Sequence, residues 1–144
     1  MSAFADWFES QNFRHFSASE FESYFVAQRR GVTNSPPPQR LWKNILPALR
    51  IVDELRESLG TPCRILSSYR STDYNKAVGG VPLSQHRNFT ALDISFNGVS
   101  PKQVYDRLLE WRKAGKFVGG LGIYPSSGFV HIDTRARNST WRGR

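Results

Sequence analysis

Two histidines and one aspartate in this chain have the residue types and the order that a metal hydrolase requires. The chain contains only three histidines. His86 precedes Asp93 by seven residues, and His131 lies in the later segment Phe-Val-His-Ile-Asp. Two imidazoles and one carboxylate leave one position of a tetrahedral zinc site open for water, as in catalytic rather than structural zinc sites. With Arg70 upstream as a permanent positive charge, this set indicates metal-assisted amide hydrolysis.

The elements that must position these residues are two neighbouring strands. The sequence predicts strands over residues 90–96 and 129–134, and alternate residues of a strand share one face. If the two strands pair, Asp93 and His131 meet on that face, and His86 enters from the preceding loop. Taken singly, His131 is better explained as a hydrogen-bonded core histidine and Asp93 as a turn or surface carboxylate. Because no other usable histidine pair exists, the three residues together favour the metal site.

The rest of the pattern predicts an α+β fold. Ser17 and Glu20 have the spacing of a capping box, and Ser100-Pro101 is a typical helix start. Pro47 either kinks the second helix or sets a new first turn. We expect a small, mostly antiparallel sheet of about four strands packed against two or three helices. Helices are predicted over residues 17–29, 39–59 and 100–114, strands over 64–69, 90–96, 119–124 and 129–134, and a loop with at most one helical turn over 71–89.

Length and charge limit the classes of function. The 144 residues, 39% hydrophobic and 13% aromatic, predict one domain, residues 1–144, with a substantial core. A net charge of +8 fits an anionic cell wall, an anionic membrane surface or nucleic acid equally well. Nucleic acid is the least favoured of these partners, since the aromatic residues follow core spacing and do not alternate with the basic residues. The last ten positions carry four arginines, which form either a solvated end or an anion-binding tail.

Other features concern the compartment and the state of the protein. The single cysteine, Cys63, excludes an internal disulfide and is expected to be a small core residue. No apolar run is long enough to span a membrane. The N-terminal residues lack a basic start and a long apolar run, so we expect a protein made in a cytoplasm without a signal peptide. We also expect a monomer.

Residues 67–93 and 119–133 resemble the zinc D-alanyl-D-alanine carboxypeptidase family, whose superfamily includes lysostaphin-type enzymes and the hedgehog signalling domain. The family's Ser-Gly-Tyr-Arg-Ser-like segment corresponds to residues 67–71. Its metal motif Ser-x-His-x-x-Gly-x-Ala-x-Asp corresponds to residues 84–93. Further matches are Tyr74-Asn75, Gly79-Gly80, the Gly-Gly-x-Gly-x-Tyr segment 119–124 and the Phe-Val-His-x-Asp strand 129–133. The resemblance implies a hedgehog/DD-peptidase-like fold.

The resemblance also implies roles for individual residues. His86, Asp93 and His131 would be the zinc ligands. Arg70 would hold the developing oxyanion or a substrate carboxylate, its structural alternative being a surface salt bridge. Three residues would contact the substrate: Gln85, Ser84, which could instead merely cap its turn, and Tyr124, which could instead be a half-buried core residue.

Two positions depart from the family pattern. Phe89 occupies the glycine of the metal motif, so the loop before Asp93 either differs or tolerates a side chain there. Gly128 occupies the place, three residues before His131, where many members carry a glutamate base. The nearest substitute is Asp133, which could accept a proton as general base or could orient an imidazole.

The resemblance implies a zinc peptidase acting on peptidoglycan stem peptides or cross-links. We expect an endolysin-like or wall-remodelling enzyme that acts at the cell wall after release or is carried in a phage particle. Carboxypeptidase, cross-link endopeptidase and L-alanyl-D-glutamate endopeptidase all fit this expectation. The alternative is a catalytically inactive zinc-binding domain of the same fold that serves as a virion structural or wall-binding module.

Overall fold

The computed structural model describes all 144 residues, and its chain alternates short helices with short strands. The α-helices are α1 (Ala3–Glu9), α2 (Ser19–Phe25), α3 (Leu46–Leu59), α4 (Thr72–Ala77) and α5 (Pro101–Lys113). The strands are β1 (Gln28–Arg29), β2 (Val32–Thr33), β3 (Cys63–Ser67), β4 (Ala91–Phe96), β5 (Gly120–Tyr124), β6 (Phe129–Asp133) and β7 (Ser139–Arg142). Two 3-10 helices cover Gln39–Ile45 and Gln85–Asn88.

Five strands form one sheet in the order β3-β4-β6-β5-β7. Every pair is antiparallel except β5 and β7, which run parallel. The predicted α+β fold with a mostly antiparallel sheet is therefore confirmed. The prediction of about four strands falls one short in this sheet because β7 lies in the C-terminal segment, where the arginines predict only a basic end. A separate two-stranded sheet joins β1 and β2.

One hydrophobic cluster of 25 buried residues lies between the sheet and the helices. Helix α3 contributes residues at spacings of three, Leu49, Val52 and Leu55, all fully buried. Helix α5 begins as predicted, since Ser100 and Gln103 exchange side-chain-to-backbone hydrogen bonds in a capping box. None of the helices combines the length and the apolar character needed to span a bilayer.

The predicted first helix over residues 17–29 ends early, at Phe25. Arg30 and Gly31 both have positive φ, 52° and 77°, so the chain reverses in a tight hairpin between β1 and β2. The Glu20 carboxylate accepts a hydrogen bond from the Ser17 backbone N–H at 2.7 Å, but the N-cap residue is Ala18. The predicted helix is too long because the turn has an arginine where asparagine or glycine usually signals a turn.

Two further elements refine the predictions. Pro47 sets a new first turn, since the 3-10 helix ends at Ile45 and α3 starts at Leu46. The segment 71–89 is more ordered than a loop with a single turn. It contains α4, which is capped by the Ser71 hydroxyl on the Tyr74 N–H, and the 3-10 helix that carries His86.

Phe89 adopts a left-handed backbone conformation of the kind that favours glycine. Its φ is 59°, in the left-handed region, and its side chain is completely buried. The ring packs edge-on against Phe21, Phe25 and Tyr69. A left-handed non-glycine residue costs about 1–2 kcal/mol, and burying a phenylalanine side chain recovers about 1.5–3 kcal/mol. The side chain is thus tolerated at this position because it has become part of the core.

This balance gives an unusual prediction for two variants of Phe89. Phe89→Ala should lower the free energy of unfolding by about 3–5 kcal/mol, because it leaves a cavity and keeps the strained backbone. Phe89→Gly loses the same ring but removes the strain, so it should be the more stable variant by about 1 kcal/mol. Urea unfolding in the presence of a chelator measures both values. An alanine variant as stable as the glycine variant would show that the backbone at residue 89 is not strained.

The lone thiol lies inside the core, as the sequence predicts. Cys63 is buried, and burial raises the pKa of its thiol to about 12. Only the thiolate reacts with disulfide reagents. The folded protein should therefore not react with such a reagent at pH 8, whereas the unfolded protein should take up one equivalent. Rapid labelling of the folded protein would contradict the buried position, and Cys63→Ser provides the blank.

Candidate metal centre

His86, Asp93 and His131 converge on one point. Their side chains are all buried, and one ligand atom from each lies within 4.8 Å of the others. Asp93 on β4 and His131 on β6 are directly opposite in the antiparallel register, as the strand pattern predicts. His86 comes from the 3-10 helix Gln85–Asn88, which precedes β4. The structure therefore brings together the three residues that the sequence selects.

His86 presents its Nε2 atom to the centre. Its Nδ1 lies 2.6 Å from the Ser68 carbonyl oxygen. Because a carbonyl can only accept, Nδ1 carries the proton and Nε2 holds a lone pair. The Nε2 atom is buried, lies 3.2 Å from Asp93 Oδ2 and forms no hydrogen bond. A buried, unpaired lone pair beside a carboxylate oxygen is unfavourable unless a cation lies between them.

His131 presents its Nδ1 atom to the same centre. Its Nε2 lies 2.7 Å from Asp133 Oδ2, and its Nδ1 lies 3.0 Å from Asp93 Oδ1. The Asp133 carboxylate accepts the Nε2–H, so in the neutral ring Nδ1 holds the lone pair. Histidines that bind metals usually donate their other N–H to a carboxylate or a carbonyl. Both imidazoles here have such a partner, Asp133 for His131 and Ser68 for His86.

The protonation states of these groups suit a cation. Burial lowers the pKa of His86, which keeps its imidazole neutral and able to bind a metal. Burial raises the pKa of Asp93, but the neighbouring His86 and His131 have the larger opposite effect. The pKa of Asp93 therefore lies below its usual range. Burial lowers the pKa of His131, but hydrogen bonds to Asp133 and Asp93 raise it above its ordinary value. Metal binding would therefore compete with protonation of His131. These three residues fit a divalent ion.

Asp133 lies behind His131 and has no exposed surface. Its Oδ1 accepts hydrogen bonds from the backbone N–H groups of Gly120 and Arg135. The Arg135 guanidinium donates through Nε to Oδ1 at 2.9 Å and through Nη2 to Oδ2 at 2.7 Å. Burial raises the pKa of Asp133, but the bonds from His131 and Arg135 lower it well below its usual range. Its carboxylate is thus ionised and fully occupied by protein donors.

Arg70 lies on the opposite side of the centre, next to Asp93. Its Nη2 is 3.5 Å from Asp93 Oδ2, its Nη1 donates to Asn75 Oδ1, and its Nε donates to the Tyr24 hydroxyl. The side chain is only 15% exposed, so it is not part of a surface salt bridge. The Arg70 backbone N–H donates to the His86 carbonyl at 3.0 Å, which links the two segments directly.

The centre opens into a cleft of about 640 Å³, a size typical of ligand sites. All the predicted site residues line it except Asp133. One rim is the loop of residues 78–83, on which Val81 and Leu83 are 68% and 85% exposed. The predicted lining residues are Arg70, Ser84, Gln85, His86, Asp93, Tyr124 and His131.

Each of the three residues predicted to contact substrate lines the cleft and also makes a contact within the protein. The Ser84 hydroxyl caps its turn by accepting from the His86 N–H at 3.2 Å, and the residue also lines the cleft. The Gln85 side-chain oxygen accepts from the Thr90 hydroxyl. The Tyr124 ring stacks on Phe129 at 4.5 Å, and the residue also lines the cleft. For Ser84, capping the turn is compatible with contacting substrate. For Tyr124, packing on Phe129 is likewise compatible with contacting substrate.

Two residues of the C-terminal segment line the cleft and are not among the site residues that the sequence predicts. Trp141 on β7 lies 5.1 Å from the His131 ring, and its Nε1 donates to the Tyr124 hydroxyl at 2.8 Å. Arg135 holds Asp133 and also lines the cleft. An available signal was Gly122, where a Cβ atom would lie 2.3 Å from Trp141 Nε1. A glycine in the middle of a strand often marks such a close approach.

The Peptidase M15 family profile matches residues 14–133 of this chain. The chain therefore belongs to the Peptidase M15 family, and the resemblance drawn from its motifs is confirmed. The matched region contains the whole buried centre, from Arg70 to Asp133. It ends before β7, so the family match does not include Trp141 or Arg135.

Among characterised proteins, the chain is similar to the peptidoglycan L,D-endopeptidase MepK of Escherichia coli (strain K12). The two are 36% identical over 87 residues, which is 56% of this chain and 45% of that protein. The proteins of the same name from Escherichia coli O157:H7 and Shigella flexneri give the same values. The matched region thus spans about half the length of these relatives. No solved structure matches the chain at a significant level.

Proposed function

We propose that this chain is a zinc-dependent peptidase that hydrolyses amide bonds in the stem peptides or cross-links of peptidoglycan. The observation that carries the proposal is the buried group of His86, Asp93 and His131 at the base of a cleft beside Arg70. Membership of the Peptidase M15 family and the likeness to MepK, a peptidoglycan L,D-endopeptidase by name, support the same reaction. We propose residues 1–144 as one catalytic domain.

The two imidazole nitrogens and the carboxylate of the centre are ligands that zinc prefers in catalytic sites. His86 Nε2, Asp93 and His131 Nδ1 would hold the ion. When bound there, zinc polarises a carbonyl oxygen and lowers the pKa of water to about 7. The protein's own contribution is to fix the three ligands through Ser68, Asp133 and the β4–β6 register.

Arg70 is placed to stabilise the oxygen of the scissile amide as it gains negative charge. Tyr24 and Asn75 hold the guanidinium at the edge of the cleft before any substrate arrives. A donor that is already in position strengthens its interaction in the transition state without reorganising. Its charge is permanent, so the interaction persists over the whole working pH range.

Asp133 acts by orienting His131. It does not line the cleft, and its oxygens are occupied by Arg135, Gly120 and His131. A general base must reach the proton that it abstracts, and a carboxylate with so low a pKa is a weak proton acceptor. Its position behind the imidazole favours the orienting role over the role of general base.

Asp133→Asn separates these two roles. The variant weakens the acceptor that fixes the His131 ring, so zinc affinity should fall by about 10–100-fold. Turnover at saturating zinc should fall less than zinc affinity. A competitive chelator titration and assays at several zinc concentrations provide both numbers. Asp106→Asn is the control, because Asp106 pairs with Lys102 on the surface of α5. Normal zinc affinity with abolished turnover would identify Asp133 as the base instead.

The surroundings of the centre suit a peptide of an anionic wall. Val81 and Leu83 offer exposed apolar surface on one rim, where aliphatic parts of a peptide can pack. The net charge of +8 attracts the protein to an anionic polymer at low ionic strength. Both features agree with a substrate that is a peptide attached to a cell wall.

The proposal is tested by digesting purified peptidoglycan and weighing the released fragments by mass spectrometry. The zinc-loaded protein should release peptide fragments, a chelator should stop the release, and added zinc should restore it. Fragment masses identify the bond, since a carboxypeptidase removes one terminal residue and an endopeptidase separates cross-linked stems. If folded, zinc-loaded protein cut none of several wall types, the proposal would be contradicted. The remaining interpretation would then be a non-catalytic module that binds the wall.

A further inference from the structure

We propose that Arg135 forms a carboxylate-binding subsite on the β7 side of the cleft. Its ligand would be a free carboxylate of the peptide substrate close to the scissile amide. The inference rests on the proposed function, from which it takes a peptide substrate and a bound divalent ion. The Arg135 subsite consists of Arg135 and the two residues that hold its guanidinium, Asp133 and Trp141.

The guanidinium of Arg135 is fixed but only partly used. Its Nε and Nη2 donate to Asp133, whereas Nη1 donates to no protein group. The side chain is 33% exposed and lines the cleft. The Trp141 ring lies 5.1 Å from its Cζ, in cation–π contact. A guanidinium held in this way loses little conformational entropy when it binds a carboxylate.

Strand β7 is built so that Trp141 can take this position. In the sheet, Gly122 lies opposite both His131 and Trp141. A side chain at residue 122 would collide with the indole, so the glycine leaves the space that Trp141 fills. The indole is also anchored by its hydrogen bond to the Tyr124 hydroxyl. Trp141 is therefore a positioning residue that keeps Arg135 beside the metal centre.

The Arg135 subsite lies next to the reacting groups. Arg135 Nη2 and His131 Nε2 are both 2.7 Å from the same atom, Asp133 Oδ2. Arg70 contacts Asp93 at the other end of the hydrogen-bonded row Asp93–His131–Asp133. The two arginines thus flank the centre. A peptide lying across it can place its scissile carbonyl near Arg70 and a free carboxylate near Arg135.

The charge of the centre favours an anionic ligand. The charges of Arg70 and Arg135 balance those of the two aspartates, Asp93 and Asp133, when both histidines are neutral. A divalent ion would then leave the cleft with excess positive charge. Charge-assisted bonds between arginine and carboxylate are among the stronger hydrogen bonds in proteins. An acidic peptide should therefore bind better than a neutral one.

The experiment compares synthetic stem-type peptides in which one carboxylate at a time is replaced by a carboxamide. Isothermal titration of the zinc-loaded protein with uncleaved peptides gives their affinities, and kcat/KM is measured for cleaved ones. One replacement should weaken binding by about 10–100-fold, the range expected for a charged hydrogen bond. In Arg135→Gln, the acid and the amide peptide should bind equally. In Arg137→Gln, an exposed neighbour outside the cleft, the preference should persist.

Three results would overturn the inference. The first is that the unaltered protein binds every peptide and its carboxamide counterpart with equal affinity. This comparison does not require any variant to fold. The same preference in a folded, zinc-containing Arg135→Gln protein would also overturn the inference. A preference lost in Arg70→Gln but kept in Arg135→Gln would place the carboxylate on the other arginine. Failure of the proposed function is distinguishable, because Arg135-dependent binding without any cleavage supports the subsite while contradicting the peptidase.

Discussion

His131→Ala is expected to lose its zinc and its hydrolytic activity together. The substitution removes the Nδ1 ligand and leaves only His86 and Asp93 at the centre. It also leaves the buried Asp133 carboxylate without its imidazole partner. After dialysis against zinc-free buffer, the zinc content should fall from one ion per chain to almost none. Peptidoglycan hydrolysis should fall to the background rate.

The chain offers a matched control for this experiment. His15, its third histidine, pairs with Glu57 at 2.6 Å on the surface and lies outside the cleft. His15→Ala should keep its zinc and its activity. His86→Ala should behave like His131→Ala, because the lone pair of His86 Nε2 also faces the centre. Full zinc occupancy in either His86→Ala or His131→Ala would refute the assignment of the ligands.

Arg70→Ala should show a different pattern, in which activity falls and zinc remains. Arg70 contacts Asp93 only at 3.5 Å, so its loss leaves the three ligands in place. Loss of a donor to the developing oxyanion lowers kcat by about 10²–10³-fold. The measurements are kcat, zinc content and the unfolding midpoint.

Controls for Arg70 test both charge and geometry. Arg70→Lys should recover only part of the activity, because an ammonium group cannot form the same pair of directed bonds. Arg107→Ala removes an arginine that contacts Ser58 on the surface, and it should have no effect. Unchanged turnover in a folded Arg70→Ala protein would remove Arg70 from the reaction.

The parts of the fold and of the centre that the sequence predicts depend on residues close together in the chain. Alternation along two strands places Asp93 and His131 on one face, and the register makes them direct partners. The Ser100-Pro101 helix start and the end of α3 at Gly60 follow from capping preferences that act over a few residues. These capping signals do not depend on the rest of the fold, whereas the meeting of Asp93 and His131 also requires β4 and β6 to pair.

The parts that the sequence misses depend on contacts between distant segments. Strand β7 pairs in parallel with β5, and its short sequence has only Trp141 as an apolar signal among polar and basic residues. The tolerance of Phe89 depends on rings supplied by α2 and by Tyr69. Spacing along the chain carries none of this information.

A crystal grown with zinc and measured at the zinc absorption edge tests the ligand assignment without relying on any variant. We expect one strong anomalous peak, bonded to His86 Nε2, to the Asp93 carboxylate and to His131 Nδ1 at about 2.0–2.2 Å. The fourth position of that ion should face the cleft beside Arg70. A zinc peak elsewhere, with these three side chains ordered around no ion, would contradict the assignment.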